Sequence, residues 1–92
     1  MKGNLIPVAE AVKTFGRADF ISYVTENESK FISRKHFTIS READGFYIVD
    51  ENSANGTKLN GVEIKGQGKK PLKNGDKILV ADTLELVFVA GG

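Results

Sequence analysis

The feature that most constrains the fold is a hairpin signal, in which Asn60-Gly61 separates Thr57 to Leu59 from Val62 to Ile64. Asn-Gly is a preferred pair for a type I′ turn, because both central residues of that turn take positive φ. Runs joined this tightly are expected to pair as antiparallel strands. Ten glycines in 92 residues separate other short runs rich in β-branched and aromatic residues in the same way. The sequence therefore predicts an all-β sandwich or barrel.

The remaining strands are expected in runs that alternate or are apolar on both faces: His36 to Ser40, Phe46 to Asp50, Lys77 to Val80 and Leu84 to Val89. Asp44-Gly45 is a turn signal between the first two of these strands. Phe46 to Asp50 is apolar on both faces, which predicts an interior strand. Two stretches, Ala18 to Phe31 and Lys65 to Asp76, are expected to be long loops. The length predicts a single domain over residues 1–92, with its core at about 5–89.

The segment from Asn4 to Phe15 has two interpretations. A short helix would have Asn4 near its cap, Pro7 in its first turn, and Val8 and Val12 on one face. A strand leading into the glycine that follows would fit the local pattern equally well.

Composition excludes several classes of function. The chain has no cysteine and one histidine, so disulfides, cysteine-ligated metals, cysteine nucleophiles and histidine-rich metal sites are excluded. It also lacks the common nucleotide-binding, hydrolase-elbow and zinc-protease motifs, so we predict no enzyme, cofactor or metal. A net charge of +1 argues against a bulk nucleic-acid-coating protein. No membrane span or signal peptide is recognised, so the expected compartment is cytoplasmic.

Ser33 and His36 do not form a convincing catalytic pair. Residues three apart on a straight strand point to opposite faces, so the two could converge only if a turn precedes a strand beginning near His36. In that geometry His36 would tie the Ser33 loop by hydrogen bonds rather than act as a general base.

The remaining candidate residues suit an anion. Arg17 follows a glycine, Ser33 and Arg34 precede a strand, and Ser53 to Thr57 precede the hairpin. Guanidinium, hydroxyl and backbone N–H groups are the donors with which proteins bind phosphate.

Four motifs together resemble the forkhead-associated (FHA) domain family in order and spacing over about residues 12 to 89. They are Gly16-Arg17, Ser33-Arg34-Lys35-His36, Asp50 with Ser53-Ala54-Asn55-Gly56-Thr57 and Asn60-Gly61, and Leu72 with Gly75-Asp76-Lys77-Ile78. The resemblance implies a β-sandwich of two antiparallel or mixed sheets with about ten or eleven strands and its functional loops at one end. It also implies that the segment entering Gly16 is a strand.

The resemblance further implies a module that binds phosphothreonine peptides of partner proteins in signalling. Arg17 and Ser33 would contact the phosphate, Arg34 would add a second cation, and Asn55 would bind the peptide main chain. His36 would brace the Ser33 loop. The other expected structural residues are Gly16, Gly56, Thr57, Asn60 and Gly61.

The sequence departs from the family pattern in three places. Ala54 stands where the family often has a threonine that can touch phosphate, so one hydroxyl is missing. The first family strand is expected to be short, absent or supplied by a longer chain. Acidic residues of the Ala18 to Phe31 loop could weaken an anion site. An alternative reading is therefore an FHA-fold module with a weakened phosphate pocket that binds its partner by another surface.

Overall fold

The computed structural model describes residues 4–7 and 11–89. Nine strands are formed in these residues: β1 (Asn4–Pro7), β2 (Val12–Phe15), β3 (Phe37–Glu42), β4 (Gly45–Asp50), β5 (Thr57–Leu59), β6 (Val62–Glu63), β7 (Lys70–Leu72), β8 (Lys77–Val80) and β9 (Leu84–Val89). Two four-residue helices, α1 (Arg17–Phe20) and α2 (Glu26–Ser29), lie between β2 and β3. No helix in the described ranges is long and apolar enough to cross a bilayer.

The strands form two sheets that confirm the predicted β-sandwich. One sheet has the order β1-β9-β8-β5-β6 and the other the order β2-β3-β4-β7. β1 pairs with β9 in parallel, and every other pairing is antiparallel. The nine described strands do not reach the expected ten or eleven. A strand does precede the segment that enters Gly16.

Apolar residues that alternate along the strands form the core between the sheets. Ile78 and Val80 of β8 face it, as do Leu84, Leu86 and Phe88 of β9. From the other sheet, Phe37 and Ile39 of β3 and Ile48 of β4 are fully buried. β4 lies between β3 and β7, so the prediction of an interior strand is confirmed.

The hairpin of β5 and β6 has the predicted two-residue turn. Asn60 and Gly61 have φ values of 50° and 86°, which are the positive angles of a type I′ turn. The Asp44-Gly45 turn signal was displaced by one residue. Gly45 already belongs to β4, where it pairs with Glu42, and residues 43–44 form the turn.

Both predicted long loops contain secondary structure. In the first, Thr25 caps α2, because its hydroxyl accepts from the Glu28 N–H at 3.1 Å and the Glu28 carboxylate accepts from the Thr25 N–H at 2.8 Å. This Thr-x-x-Glu capping box was present in the sequence and overlooked. In the second, β7 forms despite Pro71, because β7 is an edge strand and proline is tolerated there.

The segment from 4 to 15 forms strands where it is described. β1 and β2 account for residues 4–7 and 12–15, so the strand interpretation is confirmed there and the helix interpretation is wrong. Val8 lies outside the described residues.

Candidate functional site

The phosphate-binding arginine predicted from the sequence lies where β2 ends and the chain crosses the Ser33–Arg34 segment. Gly16 permits this crossing, since a Cβ built on it would lie 1.6 Å from the Arg34 carbonyl oxygen. The Arg17 N–H donates to the Ser33 carbonyl at 3.0 Å, and its side-chain Nε donates to the Ile32 carbonyl at 2.9 Å. The terminal guanidinium nitrogens bond to no other described residue and remain available to a ligand.

Ser33 is held by three hydrogen bonds that leave its hydroxyl proton unused. Its carbonyl accepts from Arg17, and its N–H donates to His36 Nδ1 at 3.0 Å. Its Oγ accepts from the Ala54 N–H at 3.0 Å. The hydroxyl can therefore still donate to an anion placed beside Arg17.

His36 is fully buried and joins two loops. Because Nδ1 accepts from Ser33, the ring proton resides on Nε2, which donates to the Gly56 carbonyl at 2.7 Å. Burial lowers the pKa of His36 below its ordinary value, although the Gly56 hydrogen bond and the charges of Asp50 and Glu63 oppose this. These contacts fit the predicted bracing role and favour a neutral ring.

A buried carboxylate holds the second loop. Asp50 Oδ1 accepts from the hydroxyls of Ser53 and Thr57, both at 2.6 Å, and its Oδ2 accepts from the Ser53 N–H at 2.9 Å. Ser53 Oγ in turn accepts from the Gly56 N–H at 3.0 Å. Burial acts to raise the pKa of Asp50, but the hydrogen bonds from Ser53 and Thr57 outweigh it and hold the pKa below its ordinary value. The carboxylate therefore stays ionised and rigidly partnered.

Asn55 lies at the exposed tip of this second loop. Its Nδ2 donates to the Phe31 carbonyl at 2.8 Å, which ties the tip to the loop that carries Ser33. The amide is thereby held at the surface, close to the loop that carries Ser33 and Arg34.

The arginines together line an open cleft of about 440 Å³. Its lining residues are Arg17, Ala18, Ile21 and Arg34. Arg34 is exposed, and its side chain makes no hydrogen bond or ion pair with the rest of the described chain. Both arginines thus border one concave surface.

Two acidic residues of the 18–31 loop, Asp19 and Glu28, make contacts within the domain. The Asp19 carboxylate accepts from the Gly16 N–H at 2.8 Å and lies 3.6 Å from the Lys13 ammonium. Glu28 caps the Thr25 N–H. Lys13 thus offsets part of the Asp19 charge, whereas Glu28 is bonded to a neutral N–H and keeps its charge.

The predicted residues fall at opposite ends of the sandwich. The residues gathered at the end with the long loops are Gly16, Arg17, Ser33, Arg34, His36, Asn55, Gly56 and Thr57. Asn60 and Gly61 lie at the other end, where Asn60 accepts from the Lys77 N–H at 2.9 Å and donates to Asp76 at 3.1 Å. Their structural role is therefore separate from the site.

Sequence reasoning assigned no role to two carboxylates that support the site. Asp50 was quoted in a motif, and the Asp-x-x-Ser spacing typical of a side-chain-capped turn could have identified its function. Glu63 accepts from the Thr57 N–H at 2.9 Å across the hairpin, and no local signal marks this contact. Within the described ranges, no group of three or more acidic or histidine side chains could hold a metal ion.

The two-sheet sandwich and the loop arrangement at one end are those of an FHA domain. A family model described as the FHA domain matches residues 13–81, which is most of the chain, and the chain belongs to this family. The FHA domain is a binding module.

Similar proteins are found in yeast and bacteria. The chain is 38% identical over 82 residues to the serine/threonine-protein kinase RAD53 of Saccharomyces cerevisiae, covering 84% of this chain but 10% of that kinase. The structure of the N-terminal FHA domain of Rad53p in complex with a phosphothreonine peptide is 40% identical, with a TM-score of 0.58, over 75% of this chain and 55% of that one. The FHA-2 domain of a Mycobacterium tuberculosis ABC transporter is 29% identical, with a TM-score of 0.67, over 92% and 73% of the two chains.

Proposed function

We propose that this chain binds phosphothreonine-containing segments of partner proteins in signalling and performs no catalysis itself. The observation that carries the proposal is that two residues with unused side-chain donors lie next to each other. Arg17 and Ser33 are joined through the backbone at 3.0 Å, and each keeps side-chain hydrogen-bond donors unused. The neighbouring Arg34 lines the same cleft as Arg17.

The chemistry of the donors matches a phosphate ester. Phosphothreonine carries about −1.5 to −2 charges at neutral pH and presents three acceptor oxygens. The Arg17 fork can bind two of these oxygens, the Ser33 hydroxyl can donate to one, and Arg34 adds a second cation. Arg34 thus offsets the hydroxyl that is missing at Ala54.

These contacts are strong enough to make binding depend on phosphorylation. A hydrogen bond to a charged group contributes about 1.5–3 kcal/mol, so three would provide roughly 5–9 kcal/mol before ordering costs. A micromolar complex needs about 8 kcal/mol. A peptide without phosphate would lose most of this free energy.

Asn55 supplies the contact to the peptide main chain. Its Nδ2 is occupied by the Phe31 carbonyl, so its Oδ1 is the atom left to accept from a peptide N–H. A main-chain contact carries no sequence information and would position the peptide beside the phosphate.

The N-terminal FHA domain of Rad53p supports this proposal, because its structure was determined in complex with a phosphothreonine peptide and it is 40% identical to this chain. The chain spans about a tenth of the RAD53 kinase, and the matched part is the FHA region, so no kinase activity is proposed. A single domain over residues 1–92 and a cytoplasmic location remain predictions.

The test is a titration of Arg17→Ala with a phosphothreonine peptide selected from a degenerate library, beside its unphosphorylated form. We expect affinity for the phosphopeptide to fall at least about tenfold, because one charge-assisted contact is worth more than 1.4 kcal/mol. The melting temperature should change little, since Arg17 is only half-buried.

Arg41→Ala is the matched control, because it removes the same charge from an exposed position on β3. We expect it to bind the phosphopeptide as the wild type does. Equal losses in the two variants, or equal binding of both peptide forms by the wild type, would contradict the proposal. The second outcome would favour a module whose partner binds elsewhere.

A further inference from the structure

The cleft beside the proposed phosphate site has a composition that phosphate alone does not explain. Two of its lining residues, Arg17 and Arg34, are cationic, whereas Ala18 and Ile21 are apolar. The Ile21 side chain is 62% exposed, although large aliphatic side chains are commonly buried. Methyl groups cannot donate hydrogen bonds to phosphate, so Ala18 and Ile21 suit a second, apolar group of the ligand.

The position of Ile21 is determined by its neighbours in the chain. Ile21 directly follows helix α1, and the preceding Phe20 is 1% exposed and stacks on Phe15 and Phe37 at centroid distances of 6.0 Å. This aromatic anchor keeps α1 on the core. Ile21 is therefore a fixed wall of the cleft and not part of a freely moving loop tip.

Ser33 separates this wall from the contact proposed for the peptide main chain. On one side the Ser33 carbonyl accepts from the Arg17 N–H at 3.0 Å. On the other side its Oγ accepts from the Ala54 N–H at 3.0 Å, next to Asn55. A peptide whose phosphate sits at Ser33 and whose main chain meets Asn55 thus has the cleft on its opposite flank.

We propose that Ala18 and Ile21 bind a large apolar side chain of the phosphopeptide, close to the phosphothreonine and on the side away from Asn55. This inference rests on the proposed function and adds a sequence preference to it. The ligand is assigned to the same peptide because Ala18 and Ile21 line one cleft together with Arg17 and Arg34. An arginine that binds phosphate through its edge keeps a flat face against which an apolar side chain can pack.

The test uses an oriented library of phosphothreonine peptides with each flanking position varied in turn. We expect the wild type to favour large apolar residues at one flanking position. Ile21→Ala removes three carbons from the wall, and we expect it to reduce that preference by up to about tenfold. The dependence of binding on phosphorylation should be unchanged in this variant.

Val62→Ala is the matched control. Val62 is 66% exposed and lies after the Asn60-Gly61 turn, at the other end of the sandwich. It should leave the preference unchanged. A wild type with no apolar preference, or an Ile21→Ala variant that retains it, would overturn this inference while phosphate-dependent binding remained. Loss of any difference between phosphorylated and unphosphorylated libraries would overturn the proposed function as well.

Discussion

The two ends of the sandwich are built by different means. At the end with short turns, the side-chain hydrogen bonds are exposed: Asp76 accepts from the Lys73 N–H at 2.7 Å, and Asn60 bonds to Asp76 and Lys77 across two turns. At the end with the candidate site, the loops are also joined across the chain, and His36, Asp50, Ser53 and Thr57, which hold them, are buried. Ser33 bonds to Ala54, 21 residues away, and His36 bonds to Gly56, 20 residues away.

This difference affects how much each end must become ordered when a ligand binds. Loops held by buried hydrogen bonds have fewer conformations to lose when a ligand binds, so less of the binding free energy is spent on ordering them. The site end is therefore preorganised around Arg17 and Ser33.

The largest effect is expected from removing the carboxylate that organises the site end. Asp50→Ala would leave the buried hydroxyls of Ser53 and Thr57 and the Ser53 N–H without their acceptor. We expect a loss of about 3 kcal/mol or more in the free energy of unfolding, because each buried donor left without an acceptor costs about 1–3 kcal/mol. Urea denaturation measures this loss. Asp50→Asn, which keeps the shape and one oxygen, should lose less.

Asp76→Ala is the counterpart at the other end. Its carboxylate accepts from Asn60 Nδ2 at 3.1 Å and from the Lys73 N–H, both at exposed positions. We expect a loss of about 0.5–1.5 kcal/mol, the contribution of an ordinary hydrogen bond. If Asp76→Ala were as destabilising as Asp50→Ala, the contrast between the two ends would be wrong.

A smaller effect, confined to mildly acidic pH, is expected from His36. The folded protein holds the pKa of His36 below the ordinary value of about 6.5, so the unfolded chain binds the proton more readily. Where the unfolded state binds more protons, stability falls as pH falls. The free energy of unfolding without peptide should therefore decrease as pH is lowered from 7 through 6.5 towards 5. The charged groups facing the ring are Asp50, Glu63 and Lys65.

His36 is the one histidine of the sequence, which makes the comparison direct. His36→Gln keeps an acceptor for Ser33 and a donor for Gly56 but does not titrate in this range. The pH dependence between 7 and 5 should be reduced in this variant. An identical decrease in the wild type and the variant would show that another group is responsible.

The sheets could be predicted from the sequence because their signals are local. Alternation placed Leu84, Leu86 and Phe88 on one face of β9, and the Asn60-Gly61 pair identified its hairpin without reference to the rest of the chain. β7 was missed because three residues around Pro71 carry no alternation, and only pairing with β4 makes them a strand.

The candidate site was harder to predict from the sequence than the sheets were. Its donors could be recognised as anion-binding chemistry, but their assembly at one end came from a resemblance to a family. The bonds that join them, such as Asn55 to Phe31 across 24 residues, depend on how the strands are registered. For the same reason, nothing in the local pattern distinguished Ile21 from an ordinary loop residue.

The central claim is that phosphate binds at the preorganised end. The most direct measurement follows backbone amide resonances by nuclear magnetic resonance during titration with a selected phosphothreonine peptide and its unphosphorylated form. We expect the phosphopeptide to shift the amides of Arg17, Ser33, Ala54 and Asn55 and to leave those of Asn60, Gly61 and Asp76 unchanged. Shifts concentrated at the short-turn end, or the same shifts with the unphosphorylated peptide, would contradict the claim.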